Sequence, residues 1–154
     1  MILWRISNHA TLDGRGGLRA SARWHTRGHR IVYASPNPAT ALLEILVHAE
    51  IDWRDLPVSF RFLEIEAPDR ISSETIERSA LPHGWESRPD VTRQLGDEWL
   101  ASRRSALLHV PCVIVPETYN ILLNPLHPAA EQLTIRKMHR HPFDRRLAAA
   151  ASSV

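Results

Sequence analysis

The chain has 154 residues, 44% of them hydrophobic and 23% charged, and its 19 Lys and Arg exceed its 17 Asp and Glu for a net charge of +2. That length fits one domain with a real core, the composition is ordinary for a globular protein, and no run approaches the ~20 apolar residues of a membrane span. The arginines are scattered without a basic run, which argues against a direct nucleic-acid surface.

Met1-Ile2-Leu3-Trp4-Arg5-Ile6 lacks the basic start and long apolar core of a secretion signal. The single cysteine, Cys112, forms no internal disulfide, so the chain is expected in the cytoplasm. The first forty residues show little helical periodicity and hold the turn cluster Asp13-Gly14-Arg15-Gly16-Gly17, so they read as short strands and loops, the clearest strand spanning 30–35. Ser35-Pro36-Asn37-Pro38 reads as a helix start with Asn37 as N-cap, and the helix is expected to run from Pro38 to about Glu50. Ala-Leu-Leu-Glu-Ile-Leu-Val within it is apolar nearly all round, which predicts burial on most sides and leaves Glu44 as its one charge before His48.

The segment 58–66 alternates apolar and polar residues with a change of phase at Phe62-Leu63, the pattern of a bulged strand. After a polar stretch, Asp90 reads as an N-cap, and Val91, Leu95 and Trp99 at four-residue spacing predict a helix to about Ser102 with that stripe on the core. Apolar runs at 107–115 and 119–124 predict two strands and 133–138 a third, giving an α+β order. One domain is expected over 1–146, with 147–154 a disordered tail.

Several residues have more than one reading. Arg23 is either a surface arginine or a planar fork for a pyrophosphate or ribose hydroxyl. Tyr33 is either core of its strand or a ring that stacks on a base, its hydroxyl orienting a neighbour. Glu44 either forms a structural ion pair, with Arg23 among the candidates, or stabilises positive charge developing on a ribose, as carboxylates do in glycoside cleavage. The pairs His25/His29 and His139/His141 have spacings two metal ligands can use, yet no third ligand is evident, so no metal is expected. Gly14-Arg15-Gly16-Gly17 reads as a tight turn, since it lacks the lysine and Ser/Thr of a P-loop. Cys112, within Val-Pro-Cys-Val-Ile-Val, reads as a small buried hydrophobe with no adjacent base to make it a nucleophile. Asn120 and Asn124 either lock a loop or line a pocket. Trp53 and Trp85 are candidates for an interface anchor or for the core.

Taken together, Leu3-Trp4-Arg5-Ile6-Ser7, Gly16-Gly17, Arg23-Trp24-His25, Gly28, Val32-Tyr33-Ala34-Ser35, Leu43-Glu44, Gly96-Asp97-Glu98-Trp99-Leu100, Val110-Pro111-Cys112, Val115-Pro116 and Asn120-Ile-Leu-Leu-Asn-Pro-Leu-His-Pro closely resemble the RES-domain family, the toxins of RES–Xre toxin–antitoxin pairs. The resemblance covers Met1 to about Arg136. It implies a single compact domain similar to the ADP-ribosyltransferase fold, in which a split sheet with flanking helices holds NAD+ as substrate, without a metal. It maps catalytic roles onto Arg23, Tyr33 and Glu44 and ligand contacts onto Arg5, Ser7, Trp24, His25, Ser35, Cys112 and Asn124. The implied activity is depletion of NAD+ by phosphorolysis or hydrolysis of the nicotinamide–ribose bond, with transfer of ADP-ribose to a protein, or an inactive antitoxin-binding relative, as alternatives. The implied partner is an Xre-type helix-turn-helix antitoxin that covers the NAD+ site and supplies any DNA contact, the toxin itself forming a homodimer within a larger complex. The family usually has serine where this chain has Cys112, which bears on that ligand contact because a thiol is the weaker donor and acceptor.

Overall fold

The structure is a computed structural model and describes residues 1–48, 59–144 and 146–147. The elements run β1 (Ile2–Ile6), β2 (Val32–Ala34), α1 (Pro38–His48), β3 (Ser59–Glu66), β4 (Ser73–Thr75), α2 (Pro89–Ser102), β5 (Leu107–Pro111), β6 (Tyr119–Leu123) and β7 (Thr134–Pro142), with short 3₁₀ turns between. Two sheets form, one ordered β1-β3-β7 and the other β2-β6-β5-β4. All pairings are antiparallel except β4 with β5. A single bridge joins the sheets, in which Trp4 N–H donates to the Ser35 carbonyl (2.9 Å) and Ser35 N–H donates to that of Trp4 (2.8 Å). The sheets part from this point. This is the expected α+β arrangement of a split sheet with flanking helices.

The second sheet is covered on both faces, which explains why β5 and β6 read as continuous apolar runs. Leu107, Ile121 and Leu123 join Val32, Ala34, Leu63 and Ile65 in the core between the sheets. Leu108, Val110 and Leu122 point the other way, into a second core with Trp24, Ile31, Trp85 and Trp99 beneath α2. Trp85 therefore belongs to the core, its ring centroid 5.9 Å from that of Trp24, whereas Trp53 lies outside the described residues.

Three features differ from expectation for physical reasons, and β7 also runs on to Pro142 where a strand over 133–138 was expected. β5 ends at Pro111, which has no N–H to continue the ladder; Cys112 N–H then donates to the Thr118 carbonyl (2.8 Å) across a turn. The bulge falls not in β3 but opposite it, because Glu64 pairs with Lys137 and Ile65 with Ile135, leaving Arg136 of β7 as the extra residue. β3 nonetheless buries both faces, Phe60 and Phe62 on one and Leu63 and Ile65 on the other, hence the phase change. The third, the start of α2, comes two residues early: Arg88 stands at the cap, Pro89 is the first helical residue, and Asp90 lies in the first turn rather than at the cap. Its buried face is Thr92, Gly96, Trp99 and Leu100, so the stripe is rotated from Val91 and Leu95, which are only partly buried.

Asn37 caps α1 as expected, its Oδ1 accepting from the Thr40 N–H (2.8 Å) and Thr40 Oγ1 (3.1 Å). The helix is not buried on most sides, because Leu43 (40% exposed) and Val47 (57%) face outward. Its expected end at Glu50 and the tail from 148 onward lie outside the described residues. No helix among the described residues is long and apolar enough to cross a membrane.

Candidate active site

A cleft of about 510 Å³ opens where the two sheets part, a size typical of small-molecule sites. β1 contributes Trp4 and Arg5, the loop before β2 contributes Arg23 and Trp24, β2 contributes Tyr33 and continues to Ser35, α1 contributes Glu44, and β6 contributes Asn120. Ala41, Ile45, Val47, Val113 and Ile114 complete a largely apolar wall. Among the lining residues the only formal charges are two guanidinium cations and one carboxylate.

Glu44 is brought to the cleft by the register of α1 and held there by residues far away in sequence. Asn120 Nδ2 donates to Glu44 Oε1 (2.5 Å), and the Cys112 thiol donates to the same oxygen (3.2 Å). Ser35 Oγ in turn donates to Asn120 Oδ1 (3.3 Å), and Val115 N–H donates to Cys112 Sγ (3.3 Å). Burial pushes the Cys112 thiol up from its ordinary value and the Glu44 carboxylate pushes it further, against a lowering by the Val115 N–H. The group is therefore a thiol that donates rather than a thiolate nucleophile.

The loop carrying Arg23 and Trp24 is clamped by α2. Thr92 Oγ1 donates to the Arg23 carbonyl (2.6 Å), Arg93 Nε to the Ala22 carbonyl (2.8 Å), and Thr26 donates through N–H (2.9 Å) and Oγ1 (2.7 Å) to Asp97. Gly96 permits this approach, since a Cβ there would sit 1.8 Å from the Trp24 carbonyl oxygen. The Arg23 guanidinium reaches the Glu86 carbonyl (2.8 Å) from the cleft edge. Arg5 donates from Nη1 to the Tyr33 carbonyl (3.0 Å), while its Nε is buried with no partner among the described residues, and burial lowers its affinity for its proton. A cation with an unsatisfied donor at a cleft wall is suited to an anionic ligand.

Of the residues marked from sequence, Arg23, Tyr33, Glu44, Arg5, Trp24 and Ser35 converge on the cleft. His25, Cys112, Ser7 and Asn124 are not among its lining residues. His25 is 3% exposed and sits behind Tyr33, and Cys112 is 1% exposed and sits behind Glu44, so the replacement of serine by cysteine bears on the carboxylate rather than on the cleft surface. The Ser7 hydroxyl accepts from the His9 N–H (3.1 Å) at the exposed end of β1. Asn124, fully buried, donates to the Leu100 carbonyl and accepts from the Leu126 N–H, both at 3.1 Å, and so ties the turn after β6 to α2.

Asn120, read from sequence as locking a loop or lining a pocket, is the asparagine of that pair that reaches the cleft, whereas Trp4 lines it without having been marked. A polar residue within the otherwise apolar run of β6 was the available signal for Asn120. No group of three or more His, Cys, Asp or Glu is gathered as for a metal among the described residues. Gly14 (φ 67°) opens the expected tight turn, where a Cβ would lie 2.5 Å from the Ile31 nitrogen.

The molecule is thus a split-sheet α+β domain whose parting forms a cleft lined by guanidinium, tyrosine and carboxylate groups. The family model for the RES domain matches residues 2–146, and the chain belongs to the RES-domain family. It is 48% identical over 136 residues, covering 88% of this chain and 92% of the relative, to a Pseudomonas putida protein named Toxin Res. It is 39% identical over 154 residues, covering 94% of each, to a Sphingobium protein named Prs ADP-ribosylating toxin. The fold matches, with a TM-score of 0.75 at 13% identity over 99% of this chain and 89% of the other, a chain of the M. tuberculosis MbcT-MbcA toxin-antitoxin complex.

Proposed function

We propose that this protein is the toxin of a toxin–antitoxin pair and that its cleft binds NAD+ and cleaves the nicotinamide–ribose bond. The reading is carried by one observation: among the described residues Glu44 is the one carboxylate lining the cleft, fixed by Asn120 and Cys112, and Arg5, Arg23 and Tyr33 line the same cleft. Arg23 and Arg5 hold the pyrophosphate or ribose hydroxyls, and Tyr33 packs on the nicotinamide side. Glu44 stabilises the positive charge that grows on the ribose as the bond to nicotinamide breaks.

Nicotinamide leaves neutral with the bonding pair, and phosphate or water forms the new bond to the anomeric carbon and releases a proton. Because the leaving group is already good, orientation and charge stabilisation suffice. The acceptor is tested by incubating the purified protein with NAD+ with and without inorganic phosphate and separating the products. ADP-ribose 1″-phosphate formed only with phosphate identifies a phosphorylase, and free ADP-ribose in both buffers a hydrolase. Intact NAD+ in both refutes cleavage by water or phosphate.

A second reading, transfer of ADP-ribose to a protein, is favoured by the name of the Sphingobium relative. Labelled NAD+ with cell lysate separates it, since a labelled protein band requires transfer. The exposed apolar residues of α1 beside the cleft, Leu43 and Val47, suit cover by a partner. We assign that place to an Xre-type helix-turn-helix antitoxin, with DNA bound through it and the toxin a homodimer; co-expression and light scattering test both.

A further inference from the structure

One buried histidine touches no part of the cleft surface yet stands directly behind its aromatic wall. His25 Nε2 lies 3.0 Å from the Ala20 carbonyl, which can only accept, so Nε2 carries the proton. In the neutral ring Nδ1 is then an acceptor, 2.9 Å from the Tyr33 hydroxyl oxygen. That oxygen already accepts from the Trp24 N–H (3.1 Å). The hydroxyl proton of Tyr33 therefore points to His25 Nδ1, and each group of the chain from Ala20 to Trp24 has its donor and acceptor assigned.

Packing enforces the arrangement. A Cβ on Gly17 would lie 2.2 Å from the His29 carbonyl oxygen and 3.0 Å from His25 Nε2, so glycine is required by the backbone approach and the imidazole is packed tightly against it. The two rings sit 5.7 Å apart at 52°. Burial lowers the His25 proton affinity; Ala20 and Asp97 oppose this, and His29 and Arg93 add to it. Burial raises that of the Tyr33 phenol, so the ring stays protonated.

We propose that His25 is a positioning residue for Tyr33: as the Nε2–H tautomer it accepts a hydrogen bond from the Tyr33 hydroxyl at Nδ1 and so fixes the ring that forms the cleft wall. This rests on the reading of the cleft as an NAD+ site. It also builds in an acid response. Protonation places a hydrogen on Nδ1, aimed at an oxygen that already accepts from Trp24, and the hydroxyl must swing its own proton away. The charged or titratable groups around His25 are Asp97 and Arg93 of α2, His29 and Tyr33.

Long-range ¹H–¹⁵N correlation on the wild-type protein reads the tautomer without any substrate; a protonated Nε2 and bare Nδ1 at neutral pH are expected, and an Nδ1–H tautomer overturns the proposal. For catalysis, His25→Gln and Tyr33→Phe are each expected to lower kcat/KM for NAD+ about tenfold, the worth of one hydrogen bond. The double variant is expected to fall no further, because the two act through one bond; a hundredfold loss overturns the coupling. Because burial lowers the His25 proton affinity, wild-type activity should hold through the ordinary histidine range and decline only at more acid pH, and Tyr33→Phe should lack that limb, whereas the same limb in both contradicts the proposal. A wild-type protein that leaves NAD+ intact fails the cleft reading while the tautomer measurement still decides the role of His25.

Discussion

Substituting Gly96 by alanine tests how α2 holds Arg23 at the cleft. Gly96 lies in mid-helix and a Cβ there would meet backbone, 1.8 Å from the Trp24 oxygen and 2.8 Å from its carbonyl carbon, with no flexible side chain to yield. The helix and the loop must separate, at a cost of about 1–3 kcal/mol for overpacking. Separation also stretches the bonds from Thr92 to the Arg23 carbonyl and from Thr26 to Asp97, each worth about 1 kcal/mol or more. Alanine returns about 1 kcal/mol of helix propensity. About 2 kcal/mol of overpacking and about 1 kcal/mol of partial weakening spread over the three bonds, less the propensity gain, leave a net loss of about 2 kcal/mol, which for a domain of this size lowers Tm by roughly 4–8 °C. Urea and thermal melts followed by circular dichroism measure it, with KM for NAD+ expected to rise as Arg23 is displaced. An equal or higher Tm, the outcome if helix propensity alone decided, would refute the packing argument.

Asn124→Ala should lower stability by about 1–3 kcal/mol, since it strands the buried Leu100 carbonyl and Leu126 N–H, while KM for NAD+ stays near wild type; a raised KM at unchanged stability would make Asn124 a ligand contact instead. Cys112→Ser keeps a donor toward Glu44 and should retain turnover, whereas Cys112→Ala should lower kcat about tenfold; equal rates in the two variants would show that the thiol's hydrogen bond does nothing. Burial lowers both His25 and His109 below their unfolded value of about 6.5. The unfolded chain binds protons first on acidification, so this contribution to stability is complete above pH 6.5 and declines as pH falls toward the folded values. His109→Gln should flatten that slope in denaturant titrations between pH 7 and 5, and an unchanged slope would deny the effect at His109.

What the sequence disclosed and what it hid follow from the range of the forces involved. Strands β5 and β6 were legible because burial on both faces makes them apolar throughout, and the α1 cap was legible because Asn37 bonds only three residues on. β4 was not, since Ser73-Glu74-Thr75 is held to β5 by backbone pairing alone and carries no apolar period. In α1 the apolar pattern could not say which side is covered, and Leu43 and Val47 proved exposed. Residue type marked Glu44 as an acid that needed explaining, but its partners Cys112 and Asn120 lie 68 and 76 residues away. Asn120 and Asn124 are chemically identical, and only the point at which β6 ends sends one to the cleft and the other into a turn.

Glu44 is proposed to drive cleavage of NAD+ in the cleft between the sheets. The most direct measurement is nicotinamide release by wild type and by Glu44→Gln, with matching melting curves as proof of fold. Release by the wild type and a loss of orders of magnitude in the variant are expected. Near-native release by Glu44→Gln would contradict that role.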